Sequence, residues 1–275
     1  MTSTPDLLDV EIKLGKFRTS GRATANRKLP RVAVVIDNSR YVGDELWKFE
    51  ILLASRIFEY APADEPLALY VISDSSEGVE FSETREAERK RIGQLLNTRP
   101  IHKKTRRVFD ALLTVVDAFG QPEFGDSIFY LGGGIDHDSL KGHSALAETL
   151  LGRGIRLFGV LFNGSPPIDV RRIRSENSAT QLLEVAEQSG GLFEYEYAGD
   201  PQHRFTATQE VLQDTWQKVV KAYGRIILVY RLNLPVPLTS PGNLSLALSG
   251  SLSPEIKTAG LLYPHKKGAC ASPTP

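Results

Sequence analysis

Four apolar runs, almost uninterrupted, constrain the fold of this chain more than any other feature of its sequence. They occupy residues 32–36, 67–72, 128–131 and 155–162 and consist mainly of Val, Ile, Leu, Ala, Phe and Tyr. A strand with one face in water alternates apolar and polar residues, whereas a strand covered on both faces has no need to alternate. The runs therefore predict buried strands of a parallel sheet.

Helical patterns lie between these runs. Apolar residues recur at helical spacing in residues 44–60 and 105–119, and residues 83–96 and 141–151 predict two further helices. Capping boxes at Ser178 and Thr206 predict two more helix starts, and Gly190 with Gly191 predicts a helix end. Strands alternating with helices predict an α/β fold: a doubly wound, mostly parallel open sheet with helices on both faces.

Changes in composition and hydrophobic pattern along the sequence predict that the chain has four parts. Residues 1–30 are expected to hold one strand at 10–17 and a polar, basic linker at 19–28. Residues 31–224 form the predicted α/β domain. Residues 225–265 are predicted to add an antiparallel strand pair at 225–234 and 244–248, joined by a proline-rich turn. Residues 266–275 read as a disordered tail that contains the single cysteine, Cys270.

Composition argues against several classes of protein. The 33 Lys and Arg residues are balanced by 33 Asp and Glu residues, so the basic excess typical of nucleic-acid binding is absent from the sequence. One cysteine forms neither an internal disulfide nor a cysteine-based zinc site. No run approaches the roughly 20 apolar residues of a membrane span. With no signal peptide as written, the sequence predicts a cytoplasmic protein, or an extracytoplasmic one if the start is misassigned.

Polar residues follow the first and third apolar runs. Asp37, Ser39, Arg40 and Tyr41 come after the first run, and the third run ends in residues 132–134, Gly-Gly-Gly. Because ligands of doubly wound sheets bind beyond the carboxyl ends of the strands, these two loops are the candidate site. Thr105, which begins a predicted helix, is expected near the same edge.

This arrangement resembles the von Willebrand factor type A (VWA) domain, over about residues 31–224. Asp37 and Ser39 resemble the first motif of the family. Thr105, followed by Ala111 and Leu112, resembles the second motif, and residues 131–134 resemble the third. Residues 183–193 are similar to its helix, Gly-Gly and short-strand signature. The terminal strands resemble the extension of bacterial VWA-related proteins. The resemblance implies a Rossmann-like fold and a non-enzymatic domain that binds a protein partner through the carboxyl edge of the sheet.

In that family the crevice holds a divalent cation at the metal-ion-dependent adhesion site, and Mg²⁺ requires several oxygen ligands. This sequence departs from the family pattern twice, because Tyr41 replaces the second serine and Gly133 replaces the aspartate of the third loop. Asp37, Ser39 and Thr105 remain, with Asp136 three residues beyond the expected position. The reduced set predicts a degenerate site, and whether it binds Mg²⁺ or another divalent cation stays open.

Arg40 offers an alternative to the cation. A guanidinium pairs with a carboxylate through two hydrogen bonds, so Arg40 is expected to pair with Asp37 and replace the charge of the metal. Substitution of Asp37 would then lower stability rather than metal affinity.

The surface expected to contact the partner contains Arg40, Tyr41, Gly133, Gly134 and His137. The basic residues around Thr105 (Lys103, Lys104, Arg106 and Arg107) favour a partner that presents an acidic or polar loop.

Two other functions remain open. One is a hydrolase or phosphate-handling enzyme that uses Ser39 as a nucleophile or the loop of residues 132–134 as a phosphate cradle, although the G-x-S-x-G and GxGxxG spacings are absent from the sequence. The other is a structural module of a larger assembly, whose terminal strands add to the edge of a partner's sheet.

Overall fold

The structure is a computed structural model of the 275-residue chain. It describes residues 7–14, 17–25, 29–38, 44–72, 76–81, 84–100, 107–123, 125–163, 178–197, 208–227, 230–232, 242–248 and 259–262. The chain divides into two compact units. One is Leu29–Ile227, and the other combines Met1–Lys28 with Leu228–Pro275.

The larger unit is an α/β fold built on one sheet. Its strands are β3 (Val32–Asp37), β4 (Leu67–Ile72), β5 (Ser76–Val79), β6 (Ser127–Gly132), β7 (Arg156–Asn163) and β8 (Leu192–Tyr197). They lie in the order β5-β4-β3-β6-β7-β8. The five strands from β4 to β8 in this order are parallel, and β5 is an antiparallel edge strand. The predicted α/β class and mostly parallel sheet are confirmed.

The helices of this unit cover both faces of the sheet. They are α1 (Asp44–Tyr60), α2 (Arg85–Asn97), α3 (Val108–Ala118), α4 (His143–Arg153), α5 (Ser178–Ser189) and α6 (Gln209–Ile227). Val34 of β3 belongs to a core cluster with α1, α2 and α6, and its neighbour Val35 belongs to a second cluster with α3, α4 and α5. All six residues of β3, of β4 and of β6 are buried, which explains why these strands are apolar except for Asp37 at the end of β3 and Ser127 at the start of β6.

Most predicted helix boundaries differ from the structure by one to three residues, and the differences in α3 and α6 matter most. Helix α3 begins at Val108, and Thr105 lies outside the described residues. Helix α6 continues past Gly224 to Ile227, because Tyr223 and Ile226 extend its buried face. The strand predicted at 225–234 is therefore limited to β9 (Tyr230–Leu232). Within the described ranges, no helix has both the length and the apolarity that a membrane span requires.

The smaller unit is an antiparallel sheet in the order β11-β10-β1-β2-β9, with β1 (Leu7–Leu14), β2 (Phe17–Ala25), β10 (Gly242–Leu248) and β11 (Ala259–Leu262). The linker predicted at 19–28 was wrong over most of its length, since β2 pairs with β1 on one side and β9 on the other. The predicted pairing of the C-terminal strands also differs. Strands β9 and β10 share the sheet, but β1 and β2 lie between them. The predicted tail, with Cys270, lies outside the described residues.

Candidate functional site

The candidate site lies beside β3, where the order in which strands are added to the sheet reverses. Strand β4 adds to one side of β3, whereas β6, β7 and β8 follow on the other side. Helices that cross over on opposite faces leave a crevice beyond the carboxyl ends of β3 and β6. Asp37 is the last residue of β3 and Gly132 is the last residue of β6. These two residues mark the crevice.

Asp37 is buried at the base of this crevice and is held by a tyrosine. The hydroxyl of Tyr130, on β6, donates a 2.8 Å hydrogen bond to Oδ2 of Asp37. The same hydroxyl oxygen accepts a 3.0 Å hydrogen bond from the backbone N–H of Gly134. Burial, and next the charge of Asp37, raise the pKa of the Tyr130 hydroxyl well above its ordinary value. Tyr130 therefore stays protonated and acts as a hydrogen-bond donor to Asp37.

The three glycines after β6 have different roles. A Cβ on Gly132 would lie 2.3 Å from the Cβ of Asp37, so only glycine fits there. Gly134 has a φ of +67°, and a Cβ there would lie 2.9 Å from Cδ1 of Leu182. Gly133 has more space, with its nearest neighbour at 3.5 Å. The N–H of Gly134 is already bonded to Tyr130, which counts against the predicted phosphate cradle.

Arg99 connects the two ends of the first loop. Its Nε donates a 2.8 Å hydrogen bond to Oδ1 of Asn38, and its Nη1 lies 3.0 Å from Oδ1 of Asp44. Asn38 follows β3 directly and Asp44 begins α1, so these two residues flank the segment 39–43. The guanidinium also lies 5.3 Å from the ring centre of Trp47. Arg99 thus holds the residues at the two ends of the first loop, Asn38 and Asp44, in place.

Asp136 caps a helix instead of reaching into the crevice. Its Oδ2 accepts a 2.9 Å hydrogen bond from the backbone N–H of Phe109, in the first turn of α3, and another from the hydroxyl of Ser139. Its own backbone N–H donates to Oγ of Ser178, the first residue of α5, at 2.8 Å. A carboxylate is favourable at a helix N-terminus. Asp136 therefore ties the loop after β6 to α3 and α5.

The comparison with known proteins rests on structure, because no family model and no curated protein matches the sequence. A von Willebrand factor type A protein from Catenulispora acidiphila superposes with a TM-score of 0.51 and 11% identity, over 82% of this chain and 52% of that protein. The chain has the von Willebrand factor type A fold. At such low sequence identity, a structural match establishes the fold alone. The function depends on the residues of the site.

Two further structural neighbours have similar scores. Proximal thread matrix protein 1 from the mussel byssus has a TM-score of 0.53 and 12% identity, over 76% of this chain and 49% of that protein. The human COPII-coat protein Sec24c has a TM-score of 0.50 and 11% identity, over 70% of this chain and 32% of that protein. The chain thus spans half or less of the length of these two proteins.

The described residues of this VWA fold do not fit the divalent ion that the family resemblance implies. Gly133 supplies no side chain, and Asp136 is engaged in capping α3. One oxygen of Asp37 accepts the Tyr130 hydroxyl, and the side-chain oxygen of Asn38 accepts from Arg99. Within the described part of the chain, no three His, Cys, Asp or Glu side chains are grouped to hold a metal ion.

Of the remaining predicted site residues, some lie inside and some outside the described ranges. His137 is exposed beside a shallow depression of about 370 Å³, which Lys141 and His143 also line, between the first turns of α3, α4 and α5. Ser39, Arg40, Tyr41 and Thr105 lie outside the described residues. The pairing of Arg40 with Asp37 therefore stays a prediction.

Glu50 is a second carboxylic acid close to this crevice that the sequence reading missed. It is fully buried on α1, and neither of its side-chain oxygens accepts a hydrogen bond from any residue that the structure describes. Burial raises its pKa well above the ordinary value; the charge of Asp37 adds to this, and that of Arg99 opposes it. A charged residue at an apolar helical position, between Phe49 and Ile51, was the available signal.

Proposed function

We propose that this protein is a non-enzymatic interaction protein that binds a partner protein through the carboxyl edge of its parallel sheet, and that binding needs no divalent ion. The observation that supports this proposal is the set of side-chain hydrogen bonds joining the elements of that edge. Tyr130 links β3 to the loop after β6, and Arg99 links the two ends of the first loop. A fixed arrangement of loops lowers the entropy lost on binding.

The neighbours and the charges at this edge agree with an interaction role. One neighbour is named a coat protein and another a matrix protein, and neither name is that of an enzyme. Arg107 precedes α3, and Lys141 lies exposed in the loop before α4. Positive groups beside the crevice favour a partner that presents an acidic or polar loop.

Site-specific photo-crosslinking tests where the partner binds. p-Benzoylphenylalanine is placed at exposed position 137 of the carboxyl edge and, as a matched control, at exposed position 121 of the opposite edge. In extracts of the source cell, we expect a cross-linked protein from position 137 only, with EDTA as well as with Mg²⁺. Equal cross-linking from position 121 would contradict the assigned edge, and cross-linking that requires Mg²⁺ would contradict the metal-free mode.

Thermal unfolding tests the metal requirement without a partner. An ion that binds only the native state raises the midpoint as its concentration increases. We expect the same midpoint in EDTA and in millimolar Mg²⁺, Mn²⁺ or Ca²⁺. A concentration-dependent rise that disappears in Asp37→Asn would show that the crevice holds an ion.

The structural-module alternative is supported by the antiparallel sheet of the smaller unit, whose outer strands β9 and β11 have unpaired edges among the described residues. Such edges accept a strand from another protein. Truncation after Gly224 is a poor test, because it removes β10, the partner of β1. Leu261→Pro in β11 blocks that edge more selectively. We expect it to abolish assembly only if the alternative is correct.

A further inference from the structure

Two buried glutamates share one arginine at the amino edge of the sheet, opposite the crevice. Glu65 lies just before β4, and Glu88 lies in the first turn of α2; their exposed fractions are 2% and 1%. Nη1 of Arg85, the first residue of α2, lies 3.8 Å from Oε2 of Glu88. Nη2 of Arg85 donates to the backbone carbonyls of Pro62 and Glu65, both at 2.9 Å.

This cluster of Glu65, Arg85, Glu88 and Tyr223 joins four elements of the fold. The hydroxyl of Tyr223, on α6, donates a 2.6 Å hydrogen bond to Oε2 of Glu65. The guanidinium of Arg85 lies 5.7 Å from the ring centre of Phe58 on α1. Helices α1, α2 and α6 are thereby fastened to the turn that precedes β4.

Several polar atoms of the cluster lack hydrogen bonds. Oε1 of Glu65, Oε2 of Glu88 and Nη1 of Arg85 are buried without a hydrogen-bond partner in the described structure. Burying a carboxylate charge in such a place costs free energy. Burial is accordingly the main cause that raises the pKa of each glutamate to about 7. The titratable or charged groups that face the two glutamates are Asp64, Arg85, Arg89 and Tyr223. Tyr223 is in turn faced by Glu65, Arg85 and Tyr60.

We propose that the cluster is a proton-sensitive latch that fastens α2 to α6 and to the turn before β4. When both glutamates are protonated, neutral carboxyl groups occupy the buried positions. When both are ionised, two negative charges are buried beside the guanidinium of Arg85, and the other cation that faces them, Arg89, is exposed to solvent. Helix α2 then opens from the domain more readily. The latch uses none of the residues of the proposed partner-binding edge and stands apart from that function.

The direction of the pH effect follows from the raised pKa values. A carboxyl whose folded-state pKa exceeds its unfolded value stabilises the closed form fully below about pH 4.5, and this contribution is lost as the pH rises to about 7. A move of the pKa from 4.5 to about 7 corresponds to no more than about 300-fold in the opening constant for each carboxyl.

Hydrogen exchange of the full chain tests the latch. Exchange is measured by mass spectrometry at pH 5.5, 7 and 8.5 and corrected for the intrinsic rate, with α4 as the internal reference. We expect the opening constant of α2 to rise tens-fold or more relative to α4 between pH 5.5 and 8.5. The rise should disappear in Glu65→Gln/Glu88→Gln and persist in the exposed control Glu59→Gln. A parallel rise in α2 and α4, or a rise that survives in the double variant, would overturn the proposal.

A second measurement needs no folded variant. In the wild-type protein with ¹³C-labelled glutamate side chains, we expect two carboxyl resonances besides that of buried Glu50 to titrate near pH 7. If no glutamate carboxyl other than that of Glu50 titrated above about pH 5.5, the latch would be excluded.

Discussion

The hydroxyl of Tyr130 and the carboxylate of Asp37 join β6 to β3 through a 2.8 Å hydrogen bond at the base of the crevice. The same hydroxyl receives the N–H of Gly134, so one buried phenol sets the position of both strand ends. In a VWA fold whose described residues do not fit a metal ion, this phenol connects the first loop to the loop after β6. Removal of this hydroxyl should therefore lower the free energy of unfolding of the domain.

We expect Tyr130→Phe to lower the free energy of unfolding by about 1–3 kcal/mol, because it leaves a buried carboxylate oxygen and a buried N–H without this partner. Urea unfolding measures the change. Tyr70→Phe is the matched control, since the hydroxyl of Tyr70 is buried in the same core cluster without a hydrogen-bond partner in the described structure. It should be neutral or stabilising. Equal losses in the two variants would contradict the role of the Tyr130 hydroxyl.

The glycines of the same loop give a second prediction. Gly132→Ala should destabilise the protein by about 1–3 kcal/mol, because the new methyl overlaps Asp37 and Tyr130. Gly133→Ala should change stability by less than about 0.5 kcal/mol, since its nearest neighbour is in ordinary contact at 3.5 Å. Thermal or urea unfolding of both variants decides the matter. A tolerated alanine at position 132 would mean that the loop after β6 shifts without cost.

Arg99 should contribute more to stability through its hydrogen bond to Asn38 than through its ion pair with Asp44. Arg99→Ala removes the donor to Oδ1 of the buried Asn38 and should cost about 1–3 kcal/mol. Asp44→Ala removes only the exposed partner of Arg99, whose side chain is 85% accessible, and should cost less than about 0.5 kcal/mol. Both losses are read from urea unfolding at the same ionic strength. A larger loss in Asp44→Ala would reverse the assignment.

Glu50 gives a prediction that depends on pH. Because burial raises its pKa above the unfolded value, the native state loses stability as the pH rises above about 4.5. Glu50→Met removes this loss and keeps a side chain of similar length. It should stabilise the protein by about 1–3 kcal/mol at pH 8 and by less at pH 5. Urea unfolding at the two pH values tests it, and destabilisation at pH 8 would show that the ionised carboxylate has a stabilising partner.

The sequence predicted the layered part of the fold well, because burial on both faces changes composition. Between their ends, the buried strands β3, β4 and β6 have no polar residue, and helix α1 begins and ends where expected. The end of α5 was predicted as well, since Gly190 adopts a φ of +80° directly after it. Strand β2 was missed because its sequence is polar and its ladder is supplied by neighbours on both sides.

The contacts within the candidate site were beyond the reach of local patterns. Arg99 lies 61 residues from Asn38, and Tyr130 lies 93 residues from Asp37. Neither stands in a motif, and Tyr130 reads as one more apolar member of its strand. Asp136 was noticed as a possible metal ligand three residues beyond the expected position, but its role as a cap on α3 depends on the backbone of Phe109, which only the assembled fold brings near.

The position of Trp47 gives this molecule an optical probe of its own first loop. Its buried indole donates to the carbonyl of Leu95 and lies beneath the guanidinium of Arg99, whereas Trp216, the second of the two tryptophans in the chain, packs beside Arg56 and Tyr60. Indole emission responds to a neighbouring charge. In a Trp216→Phe protein, the remaining signal would report each event at the carboxyl edge that displaces Arg99, without any attached dye.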